Sequence, residues 1–164
     1  MEIETKNNKM NSVEKLNMIK HFENDEKPQQ IKKNMIWCIS EILSYVSFIV
    51  RENEMVLDTR YFVLIASPET YNIILESVIS KILKILENYQ TVIVHLNMKT
   101  FTLTHVDKHY SFIKNICILL QEKFPDKLEK CFVYNATFLF SQLFKIVSKF
   151  IDKKTQKKIE LVKE

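Results

Sequence analysis

The chain of 164 residues contains no glycine. Glycine-rich phosphate loops, dinucleotide-binding turns and the nucleophile elbow of serine hydrolases all need a backbone position without a Cβ atom. The common nucleotide-dependent enzymes and that class of hydrolase are therefore excluded at the level of motif. Turns that require a positive φ must use asparagine or aspartate instead, for instance Asn88 or Asn97.

Cysteine and long apolar runs are also scarce. The three cysteines include no Cys-x-x-Cys pair, which argues against a disulfide framework and favours a reducing compartment, so we predict a cytoplasmic protein. The N-terminal residues are polar and do not resemble a signal peptide. The longest apolar run, residues 35–50, is too short and too amphipathic to predict a membrane span.

Arginine is nearly missing, since 22 lysines stand against two arginines. Isoleucine and asparagine are abundant, and an A+T-rich genome, such as that of a large DNA virus or a protist, explains these biases together. The net charge of +4 is too small to predict nucleic-acid binding. Apolar residues make up 46% of the chain, which is enough to bury a core within one domain.

Patterns of catalytic or metal-binding residues are absent as well. His105 and His109 are four residues apart, but they straddle a predicted helix start and have no third ligand at a suitable spacing. Cys117 and Cys131 fall in apolar segments, where small core residues belong. We therefore predict a protein that is not an enzyme and uses neither a metal nor a cofactor.

Hydrophobic periodicity predicts N-terminal helices followed by alternating strands and helices. The helices are expected at residues 12–23, 29–51, 67–88, 107–124 and 137–151, and the strands at residues 61–66, 91–96, 130–134 and 159–162. This alternation predicts an α/β fold with a small, mostly parallel sheet flanked by helices. We expect a disordered N-terminus over residues 1–11, a helical region over residues 12–54 and the α/β domain over residues 55–164.

Three motifs in the last third of the chain carry a family resemblance. They are the turn Phe-Pro-Asp-Lys at 124–127, the strand end Val-Tyr-Asn-Ala at 133–136, and the exit Phe-Ile-Asp-Lys-Lys at 150–154 with Lys-Ile at 158–159. These motifs resemble the CRAL-TRIO lipid-binding domain of phosphatidylinositol and tocopherol transfer proteins. That family has Tyr-Pro-Glu-Arg, Asn-Ala-Pro, a helix ending in Pro-Phe-Leu-Asp, and Lys-Ile in the same order. The resemblance is good over residues 91–162 and weak over residues 61–90.

The sequence also departs from the family pattern. Thr137 replaces the proline after Asn-Ala, the glycine of the loop after the central strand is missing, and the chain ends at its last strand. The BCH-like branch of the family, whose domains bind small GTPases and other proteins, tolerates such losses.

The resemblance implies roles for particular residues. The helix at 137–151 corresponds to the lid over a lipid pocket, and its apolar residues would contact the ligand: Phe138, Phe140, Phe144, Val147 and Phe150. The plain alternative is a core helix, because a helix that is apolar over most of its circumference is buried or covers a cavity. Asp126 and Lys158 correspond to a charged pair at the headgroup of bound phosphatidylinositol.

The lysines after this helix form a basic cluster. Lys153, Lys154 and Lys157, beside Lys158, would dock the mouth of the pocket on an anionic membrane. The alternative is a solvated helix end that its dipole favours. We therefore predict non-catalytic binding or transfer of a phospholipid such as phosphatidylinositol by a cytoplasmic, peripheral membrane protein. The alternative function is a protein-interaction module with a filled core and no ligand.

Overall fold

The computed structural model describes residues 12–34 and 38–163. The helices are, in chain order, α1 (Ser12–Asn24), α2 (Lys27–Asn34), α3 (Ile39–Val46), α4 (Thr59–Ile65), α5 (Tyr71–Leu86), α6 (Leu103–Lys108), α7 (Tyr110–Lys123), α8 (Phe140–Val147) and α9 (Lys153–Gln156). The strands are β1 (Ser47–Arg51), β2 (Glu54–Asp58), β3 (Val92–Asn97), β4 (Leu128–Tyr134) and β5 (Ile159–Leu161). The expected disorder over residues 1–11 lies outside the described residues.

Within the described residues the strands form one sheet in the order β1-β2-β3-β4-β5. β1 is antiparallel to β2, and all other neighbouring strands are parallel. This arrangement confirms the predicted α/β class with a mostly parallel sheet and flanking helices. No helix of the described segments has both the length and the apolar character needed to cross a bilayer.

The two faces of the sheet carry different layers. On one face, which we call the α1 face, Val56, Ile93 and Phe132 pack against Met18 and Phe22 of α1. The opposite face, which we call the cavity face, presents the alternate residues of the same strands to the helices that follow in the chain. Strands covered on both faces carry apolar residues on both faces, which explains the consecutive apolar residues 92–94 of β3 and 131–134 of β4.

Several predicted elements are confirmed at nearly their expected positions. α1, β3, β4 and β5 begin or end within two residues of the predicted bounds, and α5 occupies most of its predicted segment. The helix expected at 137–151 is shorter, since α8 covers only Phe140–Val147. The predicted positive-φ positions, Asn88 and Asn97, are wrong: among the described residues these are Glu52, Thr100, Asp126 and Asn135.

The strand predicted at residues 61–66 is wrong, because this segment is helix α4. The side chain of Asp58 accepts a hydrogen bond from the backbone N–H of Arg60 and caps the helix. Tyr61 and Phe62 are buried against α3 and α5, so tertiary packing overrides the strand propensity of the apolar run.

The single helix predicted over residues 29–51 is also wrong. α2 ends at Asn34, α3 begins at Ile39, and residues 47–51 form β1, whose partner is β2. Residues 35–37 lie outside the described part of the chain. The sheet therefore begins inside the region expected to be purely helical, and the predicted boundary between residues 54 and 55 divides β2.

Candidate functional site

A cavity of about 260 Å³ lies between the cavity face of the sheet and helices α5, α7 and α8. The sheet contributes Leu57, Leu96, Val133 and Ile159, and the helices contribute mainly aliphatic and phenyl side chains: Val46, Phe62, Ile74, Val78, Phe112, Ile113, Ile116, Leu120, Phe140, Leu143, Phe144 and Val147. Of the lining residues, only Asp58 and Thr59 carry side-chain oxygens, and none carries a positive charge. An enclosure of this composition suits an apolar ligand.

Helix α8 forms one wall of the cavity. Phe140, Leu143, Phe144 and Val147 line it at the spacing i, i+3, i+4, i+7, which places them on one side of a helix. The rings of Phe140 and Phe144 stack with centroids 5.7 Å apart. No residue of α8 is fully buried, as expected for a helix that covers a cavity and does not pass through a filled core.

Of the five residues that the resemblance places on the lid, three line the cavity and two do not. Phe138 precedes α8 and is 94% exposed. Phe150 follows the end of α8 and packs at right angles to Tyr110, with ring centroids 6.4 Å apart. Both residues were assigned to the lid because the predicted helix was too long at each end.

Asp126, predicted to form a headgroup-binding pair with Lys158, forms an ion pair with Lys154. Asp126 Oδ1 lies 2.9 Å from Lys154 Nζ, and both side chains are more than half exposed. The hydrogen bond and charge of Asp126 raise the pKa of Lys154. The carbonyl of Lys158 accepts a backbone hydrogen bond from Cys131 as part of the β4–β5 pairing. Neither Asp126 nor Lys158 lines the cavity.

The basic cluster lies between the lid helix and the last strand. Lys153, Lys154 and Lys157 are exposed, and Asp152 caps their helix, α9, by accepting a hydrogen bond from the backbone N–H of Thr155 at 2.7 Å. That bond lowers the pKa of Asp152. Along the chain, α9 connects α8 to β5, and α8 and Ile159 of β5 both contribute to the cavity wall.

Side-chain amides anchor the segments at both ends of α8. Before α8, Asn135 adopts a positive φ of 58° and donates from Nδ2 to Asn97 Oδ1 at 3.0 Å. After α8, Gln156 Nε2 donates to the carbonyls of Ser148 and Ile151, each at 3.0 Å. No sequence pattern predicts these anchors, although the Asn-Ala motif contains one of them.

The α1 face contains a second set of polar side chains that no sequence motif predicts as a site. His95 is fully buried, with Nδ1 2.8 Å from Tyr134 Oη and Nε2 3.0 Å from Glu54 Oε2. At the ends of the strands, Asp58 and Arg60 form a buried ion pair with N and O atoms 2.7 Å apart. The available signal was the presence of polar residues inside otherwise apolar strands, which requires buried partners.

Two cysteine thiols belong to the lining of the cavity. Burial raises the pKa of Cys117 to about 11 and that of Cys131 to about 12, so these two cavity-lining thiols are protonated at neutral pH. Within the part of the chain that the structure describes, no group of three or more metal-ligating side chains converges. What converges is apolar surface under one helix, with lysines beside it.

Comparisons with known proteins agree with this geometry. A family model described as the CRAL/TRIO domain matches residues 67–164. The Sec14 cytosolic factor of Schizosaccharomyces pombe is 30% identical over 67 residues, which are 41% of this chain and 23% of that protein. The SEC14 cytosolic factor of Yarrowia lipolytica is 30% identical over 66 residues, 40% of this chain and 13% of that protein. The chain thus matches less than a quarter of the length of either relative.

Similarity to a solved structure extends over more of the chain. The crystal structure of Sfh5 superposes with a TM-score of 0.59, covering 91% of this chain and 57% of that chain at 15% sequence identity. At this identity the likeness concerns the fold. It includes the N-terminal part of the chain, which the family model does not match.

Proposed function

The chain belongs to the CRAL/TRIO domain family, whose members generally bind and transfer lipids. On this premise we propose that it binds a phospholipid such as phosphatidylinositol, with an acyl chain under helix α8. The observation that carries the proposal is the cavity of about 260 Å³ between α8 and the sheet. Binding of this kind is non-catalytic.

The size and lining of the cavity support an acyl chain as its occupant. A dry apolar cavity of about 150 Å³ already binds benzene, and pockets for drug-sized ligands have volumes of about 300–1,000 Å³. The cavity described here lies between these values, so it accepts part of a lipid while α8 is closed. Each buried methylene contributes about 0.8 kcal/mol to binding.

The headgroup would remain outside the apolar cavity. No lining residue is cationic, and an unpaired phosphate is costly to bury. We propose that the phosphate lies at the surface beside α9, where Lys153, Lys154 and Lys157 are exposed. In this arrangement the inositol ring would contact Lys158. It would also contact Asp126, which is paired with Lys154.

The same surface would dock on an anionic membrane. Each lysine near such a surface contributes about 1 kcal/mol. Lys145, on the exposed side of α8, and Lys149, just after this helix, add to the exposed positive charge. The sequence from 130 to 151 contains no acidic residue. Phe138 is exposed just before α8. Its position therefore suits insertion among lipid headgroups better than contact with the ligand. The protein would then act at the membrane, where α8 opens and a chain exchanges.

Native mass spectrometry of the purified protein, followed by organic extraction and lipid identification, tests the proposal. We expect one phospholipid bound per protein molecule, or uptake of one after incubation with liposomes that contain phosphatidylinositol. Phe144→Asp, which places a charge in the cavity wall, should abolish uptake, whereas Ser141→Ala on the exposed side of α8 should not. A protein that remains free of lipid after incubation would favour the alternative, an interaction module without a ligand.

A further inference from the structure

A line of hydrogen bonds, buried at its centre, begins at the anchor of α8 and crosses the sheet at the carboxyl ends of its parallel strands. Asn135 Nδ2 donates to Asn97 Oδ1 at 3.0 Å. Asn97 Nδ2 in turn donates to Asp58 Oδ1 at 3.3 Å. These three residues end, or directly follow, the neighbouring strands β2, β3 and β4.

The line continues from Asp58 to the junction of α1 and α2. Arg60 donates from Nη2 to Asp58 Oδ2 at 2.7 Å and to Asp25 Oδ2 at 3.1 Å. Its Nη1 donates to the carbonyls of Phe22 at 3.0 Å and Asp25 at 3.1 Å. Tyr61 Oη donates to Asp25 Oδ2 at 2.7 Å. The guanidinium of Arg60 thus links the N-terminal helices to the end of β2. Asn97 and Asn135 link the same strand end to the start of the lid helix.

The three central members of this line are too deeply buried to exchange partners with water, whereas Asn135 and Asp25 at its two ends are partly buried. Asn97 is fully buried, Asp58 is 3% exposed and Arg60 is 6% exposed. Breaking one bond leaves a buried polar group without its partner, which costs more than the bond itself contributes. Neighbouring bonds in such a line also strengthen one another. A change at the α1–α2 junction therefore alters the free energy of the Asn97–Asn135 bond.

We propose that this polar line couples the N-terminal helices to the lid, so that docking of the α1–α2 junction holds Asn135 in place and keeps α8 closed. Loosening the junction raises the fraction of molecules with α8 open. Asn97 is then a positioning residue for the lid, although its side chain lies on the α1 face. The description of α8 as a lid rests on the proposed function, but its coupling to α1 can be measured without any ligand.

Hydrogen–deuterium exchange of the full chain, without lipid, measures this coupling. Asn135→Gly keeps the positive φ available and removes the side chain with its amide, and should speed exchange in α8 about fivefold, the effect of one hydrogen bond. Asp25→Asn keeps the shape of the side chain and removes the charge that binds Arg60. It should speed exchange in α8 by about twofold or more and leave β3 unchanged. Glu52→Gly, the same type of change at another positive-φ residue, is the matched control and should leave α8 unchanged.

The coupling has a clear opposing outcome. If Asp25→Asn speeds exchange only in α1 and α2 while Asn135→Gly speeds it in α8, the two ends are independent and the proposal is wrong. Should Asp25→Asn unfold the protein, Tyr61→Phe removes one hydroxyl from the same carboxylate and must produce the same pattern in weaker form. A protein that shows the coupling but takes up no phospholipid would overturn the proposed function and leave this inference intact.

Discussion

The two faces of the same sheet differ in how completely they are filled. On the α1 face, apolar side chains and paired polar groups occupy the space: His95 uses both ring nitrogens, and Arg60 binds two carboxylates and two carbonyls. On the cavity face, alternate residues of the same strands surround about 260 Å³ of empty, apolar space. The comparison indicates that the α1 face is a rigid support and that the cavity face is where a ligand can be accommodated.

The largest expected effect comes from removing the central cation of the polar line. Arg60→Met leaves Asp58 and Asp25 without their partner, and removing one member of a buried ion pair costs about 3–5 kcal/mol. We expect that loss in the free energy of unfolding, measured with urea at neutral pH. Lys154→Met breaks an exposed ion pair and should not change the unfolding midpoint measurably. Equal effects of the two substitutions would contradict the rigid character of the α1 face.

Overpacking should separate the two faces directly. Val56→Phe inserts a phenyl ring into the filled core under α1 and should destabilise the protein by about 1–3 kcal/mol. Leu96→Phe, on the next strand but facing the cavity, should cost less than about 1 kcal/mol because empty space can accept the ring. The second variant should instead lose lipid uptake. A cost of Leu96→Phe similar to that of Val56→Phe would show that the cavity side is as tightly packed as the α1 side.

The sequence predicted the part of this architecture that depends on local pattern. β3 begins with three β-branched apolar residues, and the Pro125 turn, β4 and the apolar helix follow in the order that the family motifs specify. β2 was missed because Glu54 and Asp58 are polar residues that become buried only through distant partners. α4 was mistaken for a strand because its composition favours one, while its cap and tertiary contacts favour a helix.

The site was predictable only in part for a related reason. The family resemblance implies ligand contacts at Phe140, Phe144 and Val147, and these residues line the cavity from one face of α8. Whether that face meets a filled core or a cavity depends on side chains from α5 and α7, which no local pattern reports. The predicted helix includes Phe138 and Phe150, which lie beyond the ends of α8, because helix ends are the least certain part of a periodic segment.

The outer surface of the lid provides a prediction on membrane binding. Phe138 is almost fully exposed, so Phe138→Ser should leave the unfolding midpoint unchanged. If the ring inserts among headgroups, its loss should weaken association with anionic liposomes about tenfold, since burial of a phenylalanine contributes about 1.5–3 kcal/mol. Sedimentation with vesicles measures this. Leu83→Ser, at an exposed leucine of α5, is the matched control and should keep full binding. Unchanged binding of Phe138→Ser would exclude insertion of the ring.

The smallest expected effect concerns acid and the α1 face. Burial raises the pKa of Glu54, but hydrogen bonding and attraction to His95, together with Arg51, outweigh it and leave the pKa below its ordinary value of 4.5. A carboxylate with a depressed pKa contributes stability above its unfolded value and loses it as the pH falls through the folded value. The unfolding free energy should therefore decrease with acidification below pH 4.5.

Glu54→Gln sharpens this last comparison because it removes the titrating group and keeps an oxygen that can accept from His95. Its urea unfolding free energy should fall less steeply with acid than that of the unmodified chain, while at pH 7 it should be somewhat lower. On the cavity face, Cys131→Ser alters a buried thiol whose raised pKa keeps it neutral at every acidic pH, so its acid slope should match that of the unmodified chain. An unchanged slope in Glu54→Gln would mean that acid acts on the α1 face through another carboxylate, of which Asp25, whose pKa is also lowered, is the first to test.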